Sequence, residues 1–323
     1  MKRLIGAAIV AAVAGLSAAH AQPFPNRPVT ILVPLAPGGS TDTIGRIMAE
    51  GMRPHLGTVI VENAPGAGGS SGVIRVARSA PDGYLVQIGQ WGTNVASGAV
   101  YNLPIDLLTD LEPVGLIATQ PSMIVGRKDL PANNLKELIA HIKANPGKVT
   151  VGNAGIGSPG HVSSIFFQNA IGGQIQPVPY RSAGPASQDL LAGNIDMMMD
   201  TASTSGGHVR EGRLKAFAMA ADKRSPVVPD VPTTDEAGLP GFRFYFWHAF
   251  WVPKGTPKDV IAKLNEAAVK ALADPATRKR LLDTGQELYG PEMSTPAALG
   301  KYQKAEIEKW WPIIKAAGIK AGQ

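Results

Sequence analysis

The sequence predicts an α/β protein of two lobes, each built on a mostly parallel sheet flanked by helices. Three observations carry this. Strand-like and helix-like segments alternate along most of the chain, which implies parallel pairing. Two strand-to-helix connections are glycine turns of one design, in VTILVPLAPGGSTDTIGR (29–46) and KVTVGNAGIGSPGH (148–161). The alternations also fall into two sets, with segments near 120–127 and 243–252 placed to carry the chain across between them.

The β-branched run Val29 to Leu35 reads as a buried strand. It breaks at Pro37-Gly38-Gly39, and Ser40, Thr41 and Asp42 open a helix with Ile44, Ile47 and Met48 on its apolar face. Thr58 to Glu62 is a second strand, and the loop 63–72 leads into a helix around Val73 to Arg78. After the Pro81-Asp82-Gly83 turn, Tyr84 to Gly89 is a third strand, and Gln90 to Asn94 lies just past its carboxyl end, where ligands collect in open α/β sheets. Val114 to Ala118 and Ser122 to Val125 are two strand-like runs. Asn134 caps a helix carrying Leu135, Leu138, Ile139 and Ile142, stopped by Pro146-Gly147.

Lys148 to Asn153 is the next strand, followed by the second glycine turn and a helix from His161 to Ala170. The alternation continues with a strand at 176–180, a helix at 186–192, a strand at 195–199, a helix near His208 to Glu211 and a strand at 214–220. The run Met197-Met198-Met199 reads as part of a buried strand in preference to a soft-metal site. Phe242 to Val252 is a long aromatic strand that suits a crossing between lobes. Thr256-Pro257, Pro275 and Thr295-Pro296 open three C-terminal helices, the last kinked or ended at Trp310-Trp311-Pro312.

The first residues bear on compartment. Met1-Lys2-Arg3 is positive, Leu4 to Ala19 is apolar and rich in small residues, and Ala19-His20-Ala21 is an A-x-A cleavage site. The apolar run is shorter than the roughly 20 residues a membrane span needs. Residues 1–21 therefore read as a secretory signal peptide cleaved after Ala21. The absence of cysteine excludes a disulfide framework, thiol nucleophiles and thiolate metal sites. A net charge of +6, scattered and without an aromatic-interleaved basic stripe, argues against nucleic acid. At 323 residues with 44% hydrophobic residues, the chain is long enough to bury a core without disulfides.

A helix N-terminus leaves backbone N–H groups unpaired and carries roughly half a positive charge, so two such loops favour a carboxylate or phosphate. Asp42 either caps its helix or meets a ligand amine or hydroxyl. His161, in the first turn of the second helix, either reaches a ligand or ties down its loop. Arg181, after a strand end, is the best-placed single cation. Gly68-Gly69-Ser70-Ser71-Gly72 matches a nucleophile elbow formally, but loop residues separate Ser70 from the preceding strand. The dinucleotide fingerprint is broken at Ser71 and lacks its acidic partner, so no cofactor is expected. The histidines after the signal lack i, i+4 pairing, so no metal site is expected. A secreted serine hydrolase using Ser70 or Ser158 is the alternative from another class.

Taken together, VPLAPGGSTDTIGR, VIVENAPGAGGSSG, PDGY, ANPGKVTVGNAGIGSPGH, VPYRSAGPASQDLLAGNIDMMMD, DVPTTDEAGLPGF, VPKGTPKDVIAKLN and ALADPATRKRL strongly resemble the Bug family, the TctC-like substrate-binding proteins of bacterial tripartite tricarboxylate transporters. The resemblance spans the mature chain. It implies a periplasmic-binding-protein (Venus flytrap) fold, here with lobe 1 at 22–123 plus 249–323 and lobe 2 at 124–248. It also implies a monomeric periplasmic receptor, not an enzyme, that closes on a small carboxylate and passes it to membrane permease subunits.

The ligand residues it implies are Pro37, Gly38, Gly39, Ser40, Thr41 and Asp42 in the first loop and Gly155, Ile156, Gly157, Ser158 and His161 in the second. Trp91, Thr93, Arg181 and Asp200 are added from the neighbouring segments. The chain departs from the family pattern at 90–97, at 200–205 and in Phe244-Tyr245-Phe246-Trp247-His248. Read as loops at the far end of the ligand, these segments suggest a flat or aromatic mono- or dicarboxylate, unless Trp91 and Trp247 simply pack the lobes.

Overall fold

The computed structural model describes residues 24–320, so the signal segment and its cleavage site lie outside the described residues. The first half opens with β1 (Val29–Val33), α1 (Ser40–Leu56), β2 (Val59–Asn63), α2 (Ser70–Ala77) and β3 (Leu85–Gln90). β1 pairs in parallel with both β2 and β3, which explains why its side chains are almost wholly apolar and buried. A π-helical turn (Gly92–Ala96) and the short α3 (Ser97–Val100) follow.

The chain then enters β4 (Leu111–Arg127), a single strand of 17 residues. The two runs expected here are one strand. Pro121 does not break it because the strand changes partners there: β4 pairs antiparallel with β9 (Tyr245–Pro253) as far as Pro121, and from Ser122 with β7 (Met197–Thr201). Further along, β8 (Leu214–Met219) pairs with the same strand.

The second half comprises α4 (Leu135–Ala144), β5 (Thr150–Asn153), α5 (Pro159–Ile171), β6 (Gln176–Pro179), α6 (Ala183–Ala192), β7, α7 (Ala202–Arg210) and β8. Asn134 caps α4 by accepting from the Glu137 N–H at 2.9 Å. α8 (Lys258–Ala273), α9 (Pro275–Asp283), the two-residue β10 (Glu287–Leu288) and α10 (Pro296–Ala316) complete the chain. The described strands form one ten-stranded sheet whose main path runs β2-β1-β3-β9-β4-β7-β5-β6. β4 and β9 are thus the crossing strands of a two-lobe α/β fold.

α10 runs through Pro312, which neither ends it nor stops the burial of Ile314 on the same helix. The ring leaves the Glu308 carbonyl without its helical partner, and Glu308 is on the exposed face of the helix. Tertiary contacts on the other face hold the turn: the Trp311 indole donates to Val95 O at 2.8 Å, and Trp310 meets Phe244 and Phe166 edge-on at 5.0 and 5.1 Å. Asp200 to Ser205 is not a loop either. It forms the end of β7 and the start of α7.

Candidate functional site

Both glycine turns lie at carboxyl ends of parallel strands and lead into helix N-termini. In the first, Ala36 to Gly39 are exposed and Ser40 is half-buried, while Thr41 and Asp42 are buried. Gly38 adopts φ +84°, a left-handed conformation that glycine takes without strain. Its N–H donates to Asp42 Oδ2 at 2.9 Å, so the side chain of the third helical residue reaches back past the N-cap, Gly39.

Asp42 also accepts a two-pronged pair from Arg46, at 3.0 and 2.9 Å, and a bond from Asn63 Nδ2 at 2.9 Å. Burial pushes the carboxyl up, but the donors from Arg46, Gly38 and Asn63 outweigh it and hold it below the usual range. Asp42 is therefore the brace of the loop. Because Arg46 balances its charge, the helix terminus stays open to an anion.

The second loop is braced without charge. The Gly155 N–H donates to Asn153 Oδ1 at 3.0 Å, and the His161 N–H donates to Ser158 Oγ, which caps α5, at 3.3 Å. The Gly157 N–H donates to His161 Nδ1 at 3.2 Å. Nδ1 therefore carries no proton, and the neutral ring holds its proton on Nε2. Burial pushes the imidazole pKa down, in keeping with a neutral ring. His161 ties down the loop through one nitrogen and leaves the other as a donor.

This loop also meets the segment after the π-helical turn. Tyr101 Oη donates to Ile156 O at 3.4 Å, and a Cβ placed on Gly157 would stand 2.8 Å from Val100 Cγ1.

The crossing strands reach the first loop from beneath. Gln120 of β4 donates through Nε2 to Ser40 Oγ at 3.3 Å, and His248 Nε2 of β9 lies 3.2 Å from Thr41 Oγ1. His248 is fully buried and its pKa is pushed down to about 3 by that burial, so the ring is neutral. Neither residue was among the expected site residues. The available signal was a glutamine set between two apolar strand-like runs, where a polar side chain needs a partner.

The remaining expected residues are distributed differently. Arg181 is exposed and makes no hydrogen bond or ion pair among the described residues. It follows Tyr180, whose carbonyl is 3.5 Å from a Cβ placed on Gly155, so it adjoins the second loop. Thr93 is fully buried and spends its hydroxyl on Gln90 O and Asn94 Oδ1. Asp200 is buried beneath the start of α7, accepting from the Thr204 and Ser205 hydroxyls, and burial raises its pKa.

Trp91 has no exposed surface. It packs edge-on against Phe244 at 4.9 Å and Trp310 at 5.4 Å, so it presents packing and no face to a cleft. Trp247 is buried likewise, against Trp251 and Tyr302.

The hydrolase alternative lacks its geometry. Ser70 Oγ is buried with no partner among the described residues, and Ser158 Oγ meets the backbone of His161, while the ring faces Gly157. No group of His, Asp or Glu side chains among the described residues is suited to a metal. No described helix is long and apolar enough to cross a membrane.

A two-lobe α/β fold with paired helix N-termini at the crossing defines a solute-binding protein. The particular family follows from comparison: residues 44–319 match the tripartite tricarboxylate transporter family receptor model, and the chain belongs to that family of periplasmic solute receptors, not enzymes. A protein encoded in the TAR-I ttuE-ttuC' intergenic region of Agrobacterium vitis is 40% identical over 91% of this chain and 86% of its own length. BugT of Bordetella pertussis is 34% identical over 99% of both chains.

Among solved structures, the periplasmic binding protein BugD superposes with a TM-score of 0.84 at 40% identity, covering 92% of this chain and all of its own. MatC from Rhodopseudomonas palustris, with bound malate, gives 0.84 at 38% identity, covering 90% of this chain and 100% of its own. Rpa4515 of R. palustris, with adipate, gives 0.85 at 31%, covering 92% and 99%.

Proposed function

We propose that this chain, exported by its signal segment and working as a monomer, binds a small mono- or dicarboxylate between its lobes and delivers it to a tripartite tricarboxylate-type permease. Lobe 1 would be residues 22–123 with 249–323, and lobe 2 residues 124–248, the lobes turning about β4 and β9. The observation that carries this reading is the pair of braced glycine loops. Each ends in a helix N-terminus, and the hydroxyl of Ser40 and the Nε2–H of His161 add donors to their backbone amides.

Bound malate in MatC and adipate in Rpa4515 support a carboxylate, and both are aliphatic. Trp91 and Trp247 are packed away and so give no ground for a flat ligand. Arg181, exposed beside the second loop, is the residue we assign to a second carboxylate. Closure follows because contacts to both lobes stabilise only the closed form.

The test is a thermal-shift screen of the protein from Gln22 against aliphatic and aromatic carboxylates, amino acids and neutral sugars. A ligand at 100 times its Kd adds about 2.7 kcal/mol, a shift of several degrees. Carboxylates should produce it, Ser158→Trp should abolish it, and Arg181→Ala should weaken dicarboxylates more than monocarboxylates. A response confined to uncharged compounds would defeat the proposal.

A further inference from the structure

Gln120 occupies an unusual position. It is buried on β4 immediately before Pro121, where the strand leaves the β9 pairing for β7. Its side chain joins three separate parts of the molecule. Nε2 donates to Ser40 Oγ at the start of α1, while Oε1 accepts from Ser203 Oγ in α7 at 2.9 Å and from Gln286 Nε2, just before β10, at 3.0 Å. Ser203 is bonded in turn to Thr201 Oγ1 at 2.7 Å. One amide therefore connects the first glycine loop in lobe 1 to the β7–α7 junction in lobe 2, across the crossing strand.

We propose that Gln120 is a positioning residue of the binding site, which orients the Ser40 hydroxyl as a donor toward the ligand and links that orientation to closure of the lobes through Ser203. This rests on the carboxylate reading above. With its lone pair engaged by Gln120 Nε2, Ser40 keeps its own proton for a ligand that can only accept. Turning the amide over would reverse the two serine roles, with Ser40 spending its proton on Gln120 and Ser203 accepting, and would require Gln286 to turn as well, since its NH2 cannot accept. A carboxylate at Ser40 selects the first arrangement, the one that holds Ser203 as a donor to Gln120. On this proposal the relay is complete only while Ser203 stays within reach of the amide, at 2.9 Å from Oε1.

The absence of cysteine allows clean labelling. Lys136 on α4 and Lys263 on α8 are exposed positions, one in each lobe. Spin labels on a K136C/K263C protein report the inter-lobe distance by electron-electron resonance without any ligand. Gln120→Leu is expected to lengthen and broaden that distribution by several ångströms. Ser203→Ala, which removes only the lobe 2 bond of the relay and guards against a folding defect in the first variant, should shift it the same way by less. A residue that merely fills the core would leave the distribution unchanged, and an unchanged distribution in both variants overturns the proposal.

Calorimetry with malate and adipate supplies the second arm. Ser40→Ala and Gln120→Leu should each weaken binding about tenfold, the effect of one hydrogen bond to a charged group. Full affinity in Ser40→Ala would remove the carboxylate site itself from the first loop. Loss in Ser40→Ala with full affinity in Gln120→Leu would leave the site intact and defeat the role given to Gln120. If neither acid binds the parent protein, the distance arm still decides the coupling.

Discussion

In the first glycine loop the Gly38 amide ends on the carboxylate of Asp42, and in the second the Gly157 amide ends on the neutral ring of His161. The two loops have the same strand, turn and helix order but are fastened by different chemistry. The first is closed by an ion pair with Arg46 and stands free on its outer side, with no atom within 4 Å of a Cβ placed on Gly38. The second is closed by neutral hydrogen bonds and is pressed against Val100 and Tyr101 of the other lobe. On the proposed division into lobes, the first loop reaches lobe 2 through the Gln120 side chain, whereas the second touches lobe 1 directly.

The largest expected effect follows from that contact. Gly157 has φ +76° and Val100 Cγ1 2.8 Å from its missing Cβ, whereas Gly38 has φ +84° and open space. Gly157→Ala adds a collision between lobes to a backbone strain of roughly 1–2 kcal/mol. Carboxylate affinity by calorimetry should fall at least tenfold, and Val100→Ala added to it should restore part of the loss. Gly38→Ala meets only the strain and should cost little affinity. Equal losses in the two would erase the distinction between the two loops.

Next in size is Asp42→Ala, which removes the acceptor shared by Gly38, Arg46 and Asn63. The Arg46 side chain is about half exposed, at 49%, so solvent screens the pair and the stability loss by urea unfolding should be about 1–2 kcal/mol. The inter-lobe distance of the unliganded protein should not move. A shift there would show that the first loop also governs closure.

The smallest effect is a matter of pH. His161 is pushed below its ordinary value of 6.5, so its protonation, and the loss of the Gly157 acceptor, begin only below that pH. Asp42 is held below 3.8, so the Gly38 bond survives to more acid conditions. The Gly157 amide resonance should therefore titrate on the acid side of 6.5 while that of Gly38 stays put until pH falls below 3.8. Buried His248, with its pKa pushed to about 3, adds a global trend. Below 6.5 the unfolded chain takes up a proton that the folded one refuses, so this contribution to stability is complete above 6.5 and declines as pH falls toward 3.

Much of this was legible in one dimension. The strand, glycine turn and helix order of both loops depends on local properties, and the structure places β1, α1, β5 and α5 where periodicity and capping residues put them. The termini of the three C-terminal helices were equally local, set by Pro257, Pro275 and Pro296. The errors share a different origin. Pro121 and Pro312 end neither element, because a change of strand partner accommodates one and aromatic packing against Phe166 and Phe244 holds the other.

By itself, then, the sequence determined the kinds of element, their order, and the two anion-ready turns, since these follow from spacing and backbone preference within a few residues. Only the tertiary structure decided what each polar or aromatic side chain does. Trp91 went to the core, Asp42 to its loop, and Gln120 and His248 to the first loop from strands more than 75 residues away in the chain. A side chain's partner depends on which strands the sheet brings side by side, and that pairing is a property of the whole chain.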